Sequence, residues 1–217
     1  MSNMNDRAPF DFVPIDARRS TVKPRANGLT MVIDDGLPLR YVDDVLRVAS
    51  PYIDLAKIKT GTARLYPRAL LQEKLALYKA HQVQPFIGGQ FHEFVFATLG
   101  DAILPRFYDE ALALGFEAIE ISDNTVPLTP EQRKAQIAMA TRAGLRVYGE
   151  VGSKETLSDP GLLIRQAHDC LEAGAVLVLV EAAELVENGR VRAGSLEAIK
   201  TALPLDKVMI ELPGPWI

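Results

Sequence analysis

Acidic side chains stand where short apolar runs end. Asp34, Glu120, Glu150, Glu181 and Glu211 each close a stretch rich in Val, Ile and Leu, and Asp123 follows Glu120 by three residues. Carboxylates gathered in one place repel one another when all are ionised. A divalent cation relieves that repulsion, and an oxygen-only donor set suits Mg²⁺. Salt bridges around a rim, or caps on neighbouring helices, would use the same residues without a metal. Lys57 and Lys59 alternate along one run, which places both on the same face of a strand. A lysine held there can form a Schiff base, stabilise an enolate or bind phosphate. The plain alternative is an ion pair with Asp34 or Glu93. Gly88-Gly89 lets backbone N–H groups approach an anion, or makes a tight turn. Lys154 follows Glu150 by four residues, and Ser122 lies between Glu120 and Asp123. The histidines, His81, His92 and His168, have no metal-ligand spacing, and only His92 falls close to these run ends. Cys170 reads as a small core residue on a helix.

These groups need elements that carry them to one place. Strands are expected at Leu29–Asp34, Tyr52–Ile58, Gln84–Ile87, Glu117–Ile121, Leu145–Glu150, Val176–Glu181 and Lys207–Glu211. They start about every 30 residues, the size of a strand–helix unit. Helical stripes run through Val42, Val45, Leu46 and Ala49, and through Leu70, Leu71, Leu75 and Tyr78. Further helices are expected at Leu104–Leu114, Pro130–Ala143, Pro160–Ala173 and Ser195–Leu203. Pro67, Pro130 and Pro160 suit helix starts, and Gly115, Gly144 and Gly174 suit helix ends.

Repeated β–α units imply a parallel sheet with right-handed crossovers. Nearly unbroken apolar runs such as Val176–Val180 imply burial on both faces. No G-x-G-x-x-G follows the first strand, which disfavours a dinucleotide-binding fold, and carboxylates at strand ends favour a barrel. Seven strands are counted where closure needs eight. The expected fold is therefore an α/β (β/α)₈ TIM barrel lacking, or truncated before, its last β/α unit. One domain is expected over 23–217, after a polar lead-in of 1–22.

Lys and Arg number 24 against 28 Asp and Glu, a net charge of −4, which argues against nucleic acid as a partner. A single cysteine excludes a disulfide framework and a cysteine-built zinc site. No apolar run reaches the roughly 18 residues that span a bilayer, and the N-terminus lacks a signal-peptide core. A soluble, cytoplasmic protein with no membrane partner is expected.

Several blocks resemble the phosphosulfolactate synthase family. They are Lys23-Pro24-Arg25 before Gly28–Asp34, Lys57 with Gly61-Thr62 and Leu65-Tyr66-Pro67, and Leu70, Lys74, Leu77 and Tyr78. Gly88-Gly89 with Phe91 and Glu93, Gly115–Asp123 and Glu150-Val151-Gly152 continue the likeness. It covers about residues 21–181 and weakens beyond. The resemblance implies a Mg²⁺-dependent barrel enzyme, typically a homo-oligomer, that adds sulfite to phosphoenolpyruvate to give phosphosulfolactate, the first step of one route to coenzyme M. It implies Lys59, Lys154 and Glu150 as catalytic groups and Arg25, Lys57, Gly88, Gly89 and Ser122 as substrate binders. Glu120, Glu150 and Glu181 are implied as metal ligands.

The chain departs from the family pattern at several anion-binding positions. Asp35 stands where the family commonly has lysine, Gln90 where it has threonine, Ser153 where the first of two lysines is usual, and Ala183 where an arginine is usual. Two other readings follow: a barrel enzyme acting on a different enolpyruvyl or 2-oxo acid, and an inactive relative kept for binding. A Schiff-base aldolase through Lys57 or Lys59 is a further option.

Overall fold

The computed structural model describes residues 9–14, 16, 18, 20, 22–153 and 157–212. Seven parallel strands form one sheet: β1 (Met31–Asp34), β2 (Leu55–Ile58), β3 (Gln84–Ile87), β4 (Ala118–Ile121), β5 (Arg146–Val151), β6 (Leu177–Glu181) and β9 (Val208–Glu211). They lie in chain order across the sheet, as right-handed β–α units require. The helices are α1 (Leu39–Ala49), α2 (Arg68–Ala80), α3 (Gly89–Leu99), α4 (Leu104–Leu114), α5 (Pro130–Ala143), α6 (Pro160–Glu172) and α7 (Ala193–Ala202). A small antiparallel hairpin, β7 (Val186–Glu187) with β8 (Arg190–Val191), precedes α7. β1 and β9 are the sheet's edges. Yet Lys57 on β2 touches Glu211 on β9 at 2.9 Å, five strands away in the sheet order. The sheet must therefore curl, and it forms an open barrel of seven strands, consistent with a truncated (β/α)₈ barrel.

Period-two alternation sorts the strand residues between two cores. Outward-facing Ala56, Ile58, Ile119, Ile121, Val178 and Val180 pack into the large core under the helices. Inward-facing Leu55, Phe86, Ala118, Tyr148, Leu177 and Leu179 form a second, buried plug inside the barrel, with Phe86 and Tyr148 edge to face at 4.8 Å. Two residues further along the same inward rows come Lys57, Glu120, Glu150, Glu181 and Glu211, all buried. The barrel interior is thus an apolar layer beneath a charged one.

Local sequence fixes the helices. Thr129 and Gln132 form a reciprocal capping box on α5, and Asp159 caps α6, each with proline in the first turn. Gly115 and Gly144 end α4 and α5 with φ of 103° and 104°, a region disfavoured for other residues. The structure adds α3, for which no helical period is visible. Phe91, Phe94, Val95, Phe96 and Leu99 spread apolar surface around that helix, so two helices rather than one join β3 to β4. The first two strands also begin later than expected, at Met31 and Leu55, the second because Ser50–Tyr52 forms a 3-10 turn.

At the N-terminal end of the barrel, Lys23 donates to the carbonyls of Ser50, Ile53 and His81 at 3.0, 2.5 and 3.0 Å. Near the other end, Asp34 is wholly buried with Lys74 at 2.6 Å. Tyr78 Oη donates to the same carboxylate at 2.8 Å, while the amides of Gly36 and Leu37 donate to its other oxygen. This network joins the β1–α1 turn to α2. His92, on α3, is also buried, with Nε2 2.8 Å from Tyr108 Oη of α4. Burial pushes its pKa down to about 4.

Two outcomes follow. Lys74→Met leaves the Asp34 carboxylate buried without its cation and lowers unfolding free energy by about 3–5 kcal/mol, readable by urea denaturation. His92 is neutral when folded and takes a proton more readily when unfolded. Its contribution is full above about pH 6.5 and is lost as pH falls towards about 4, a loss of ~3 kcal/mol that His92→Leu should remove from the stability–pH curve.

Candidate active site

The charged layer at the C-terminal ends of the strands is organised around Lys57. Its Nζ lies 2.8 Å from Glu120 Oε2 and 2.9 Å from both oxygens of Glu211. Burial alone would favour the neutral amine, but Glu120, Glu150 and Glu211 outweigh it and hold the ammonium above the ordinary lysine range. Lys57 is therefore a fixed positive charge and a poor proton donor at neutral pH. Glu120 accepts from the Gly89 amide at 3.0 Å through its second oxygen.

Beside this cation, Glu150, Glu181 and Glu211 each offer an oxygen, and the three lie within 4.8 Å of one another. All three are buried. Burial first, and then the neighbouring Glu120, push the Glu150 pKa up despite Lys57, to about 10. Such a buried, oxygen-only group has the donor chemistry that Mg²⁺ takes, and a bound cation would compete with the proton on Glu150. Ile33, Lys59, Thr60, Gly88 and Gln90 complete a small recess above Lys57, with a cavity volume of about 20 Å³.

The turn after β2 is conformationally costly. Thr60 has φ 52°, unusual for a β-branched residue, and Gly61 has φ 74°. Thr60 Oγ1 donates to Gln90 Oε1 at 2.9 Å, tying this turn to the start of α3. A Cβ on Gly89 would lie 2.0 Å from Ser122 Oγ and 2.7 Å from Glu120 Oε1; one on Gly88 would lie 3.2 Å from both Ile58 O and Lys57 Cε. Close approach to β2 and β4, with the Gly89 amide already given to Glu120, accounts for the Gly88-Gly89 pair.

The structure brings some of the expected site residues together and places others apart. Glu120 pairs with Lys57 and Gly89, and Glu211 stands with Glu150 and Glu181 in its place. Glu211 is opposite Glu181 in the β6–β9 register, a signal present in the seventh strand's terminal glutamate. Arg25 is not at this site. Its guanidinium meets Asp54, one residue before β2, at 2.8–3.1 Å and also the Ser20 and Pro51 carbonyls, at the N-terminal end of the barrel. Ser122 is wholly buried and gives its hydroxyl to Glu93. Glu93 also accepts from the Asn124, Thr125 and Val126 amides, so it anchors the β4–α5 loop. Asp34 and Glu93, the alternative ion-pair partners for Lys57 or Lys59, are thus engaged elsewhere, and His92 faces Tyr108. Lys59 is exposed at the recess. Lys154 lies outside the described residues.

Distant structural likenesses agree on the fold. Phosphonopyruvate hydrolase complexed with oxalate and Mg²⁺ superposes with a TM-score of 0.56 at 16% identity, covering 86% of this chain and 75% of that one. Phosphoenolpyruvate phosphomutase from Streptomyces platensis subsp. rosaceus gives 0.55 at 15% identity, covering 84% and 68%. Among the described residues, no helix is long and apolar enough to cross a membrane. In sequence, phosphosulfolactate synthase of Methanothermobacter thermautotrophicus is 35% identical over 202 residues, 88% of this chain and 77% of that protein. The Methanocaldococcus jannaschii phosphosulfolactate synthase is 33% identical over 215 residues, 94% and 81% respectively. A plant protein, heat-stress-associated 32 of Arabidopsis thaliana, is 23% identical over 218 residues, 87% and 75%. The profile of the (2R)-phospho-3-sulfolactate synthase (ComA) family matches residues 18–215, and the chain belongs to that enzyme family.

Proposed function

We propose that the protein catalyses the Mg²⁺-dependent addition of sulfite to phosphoenolpyruvate, a carbon–sulfur lyase reaction run in the bond-forming direction. The observation that carries this reading is the buried Glu150–Glu181–Glu211 group beside a permanently charged Lys57, in a chain of this family. These three glutamates would hold Mg²⁺, which supplies Lewis-acid stabilisation of negative charge on a substrate carboxylate.

The protein's own groups divide the remaining work. Sulfite sulfur bonds to the methylene carbon, the alkene electron pair moves towards the carboxylate, and the phosphate-bearing carbon then takes a proton. The Lys57 ammonium, fixed by Glu120 and Glu211, stabilises the growing negative charge without giving up its proton. Lys59, exposed at the recess, is the described lysine free to deliver a proton to that carbon. Gln90, oriented by Thr60, lines the same opening. Lys154 is assigned here to anion binding, from its place four residues after Glu150.

The test is turnover of phosphoenolpyruvate with and without sulfite and Mg²⁺, with the product identified by mass spectrometry. Phosphosulfolactate requiring all three components is expected. Turnover that ignores sulfite would point to another nucleophile and overturn the assignment. Glu181→Gln should lower kcat/KM by about 100-fold or more and weaken Mg²⁺ binding measured by calorimetry. Lys59→Met should reduce kcat by about 100-fold with little change in phosphoenolpyruvate affinity. Gly89→Ala should abolish activity, because the methyl group cannot fit between Ser122 and Glu120.

A further inference from the structure

We infer that Gln90 is a specificity-determining residue of the recess: Thr60 fixes its amide so that two uncharged N–H donors are presented to an oxyanion of the substrates. This rests on the reading of function above and deepens it, naming a group that neither holds the metal nor moves the proton. The oxyanion is the phosphoryl group of phosphoenolpyruvate or sulfite itself, which offer the same oxygen acceptors.

The recess has a buried floor and an open rim. Lys57, Gly88, Glu120, Glu150 and Glu211 are buried, whereas Lys59 and Thr60 are exposed and Gln90 is half-buried. Its volume of about 20 Å³ admits one oxygen-sized group, so the bulk of a bound oxyanion stands at the rim. Donors on the floor are already engaged. The Lys57 ammonium is shared between Glu120 and Glu211, and the Gly88 amide donates to the Ile58 carbonyl at 3.0 Å. Donors for the oxyanion therefore come from the rim, and Gln90 is prepared as one. Its Oε1 accepts from Thr60 Oγ1 at 2.9 Å. That contact sets which way round the amide lies and leaves Nε2, with its two N–H groups, for a ligand. Among the described residues, no hydrogen bond takes them.

The backbone on both sides of this contact is held. Gly89, immediately before Gln90, gives its amide to Glu120 at 3.0 Å. Across from it, Thr60 keeps a φ of 52°, costly for a β-branched residue. Gly61 packs against the next residue of α3, where an added Cβ would lie 3.1 Å from Phe91 Cδ2. A strained turn thus meets α3 at two successive residues, and its one hydroxyl donor is spent on orienting a side-chain amide. Strain of this kind persists where a site uses it, and an exposed turn with nothing to position gains little from one half-exposed hydrogen bond. Donors fixed in advance cost less ordering when the ligand binds. A site built to donate also rejects a ligand that has no acceptor there.

Gln90→Met keeps the length and removes both donors without adding charge. The expected result is a KM raised about tenfold for either phosphoenolpyruvate or sulfite, the other staying within about twofold and kcat within about threefold. The substrate whose KM moves identifies the oxyanion. Calorimetry with inorganic phosphate and with sulfite, each in saturating Mg²⁺, should show the same loss for the same anion. Thr60→Val keeps the β-branched shape but frees the amide to rotate, and should raise the same KM about threefold. Gln90→Glu keeps the Thr60 contact and turns the donors into acceptors; it repeats the test, with a loss at least as large, if Gln90→Met does not fold. Both KM values and both anion affinities within about twofold of the parent, or an equal rise in both, would overturn the inference. A parent protein that binds either anion through Gln90 yet does not join sulfite to phosphoenolpyruvate overturns the reading of function alone. A parent with neither turnover nor anion binding overturns both.

Discussion

A single ammonium buried among carboxylates organises this molecule's interior. Lys57 reaches Glu120 on β4 and Glu211 on β9, strands that neighbour neither β2 nor each other in the sheet. Bare carboxylates at the ends of four parallel strands would drive those ends apart. The lysine converts that repulsion into a cross-barrel tie, and burial strengthens it because little water screens the charges. The close grouping of Glu150, Glu181 and Glu211 beside it is made tolerable by this charge balance. Beneath it, the plug of Leu55, Phe86, Ala118, Tyr148, Leu177 and Leu179 supplies the apolar floor against which the charged layer is held.

The surrounding loops are controlled by charges that never face the recess. Asp34 is neutralised by Lys74 and orders the β1–α1 turn. Glu93 and Glu184 gather backbone amides after β4 and β5. Each is a buried acid satisfied by several donors, the arrangement that makes burying a charge tolerable. The glutamates at this face divide three jobs, set by their neighbours: partner of Lys57, member of the oxygen group, or anchor of a loop, with Glu211 holding the first two.

That division of labour explains what the sequence could reveal. Strand-terminal acids, the Lys57–Lys59 alternation and the glycine- and proline-marked helix ends express local periods, and local periods survive translation into structure. Glu150 and Glu181 could be paired with oxygen chemistry for that reason. Glu211 was visible as a strand-terminal acid, but its approach to Glu150 and Glu181 depends on how far the sheet curls. The family resemblance implied Arg25 as an anion binder. Its partner Asp54 lies just before the second strand, at the other end of the barrel, a distinction of one strand length that one-dimensional proximity conceals. Helix α3 was hidden by its all-round apolar surface, and the pairing of Ser122 with Glu93 by the sequence distance between them.

Glu211 has one more consequence. It touches Lys57 through both oxygens and also belongs to the three-carboxylate group, so any ion arriving there meets a resident, tethered competitor. A monovalent ion such as Na⁺ brings no more charge than the ammonium and lacks its permanent local concentration. A doubly charged ion gains about twice the attraction at the same distance. With Mg²⁺ held there as proposed, the lysine would discriminate by valence, disfavouring the cell's abundant alkali ions before size or coordination geometry has any say.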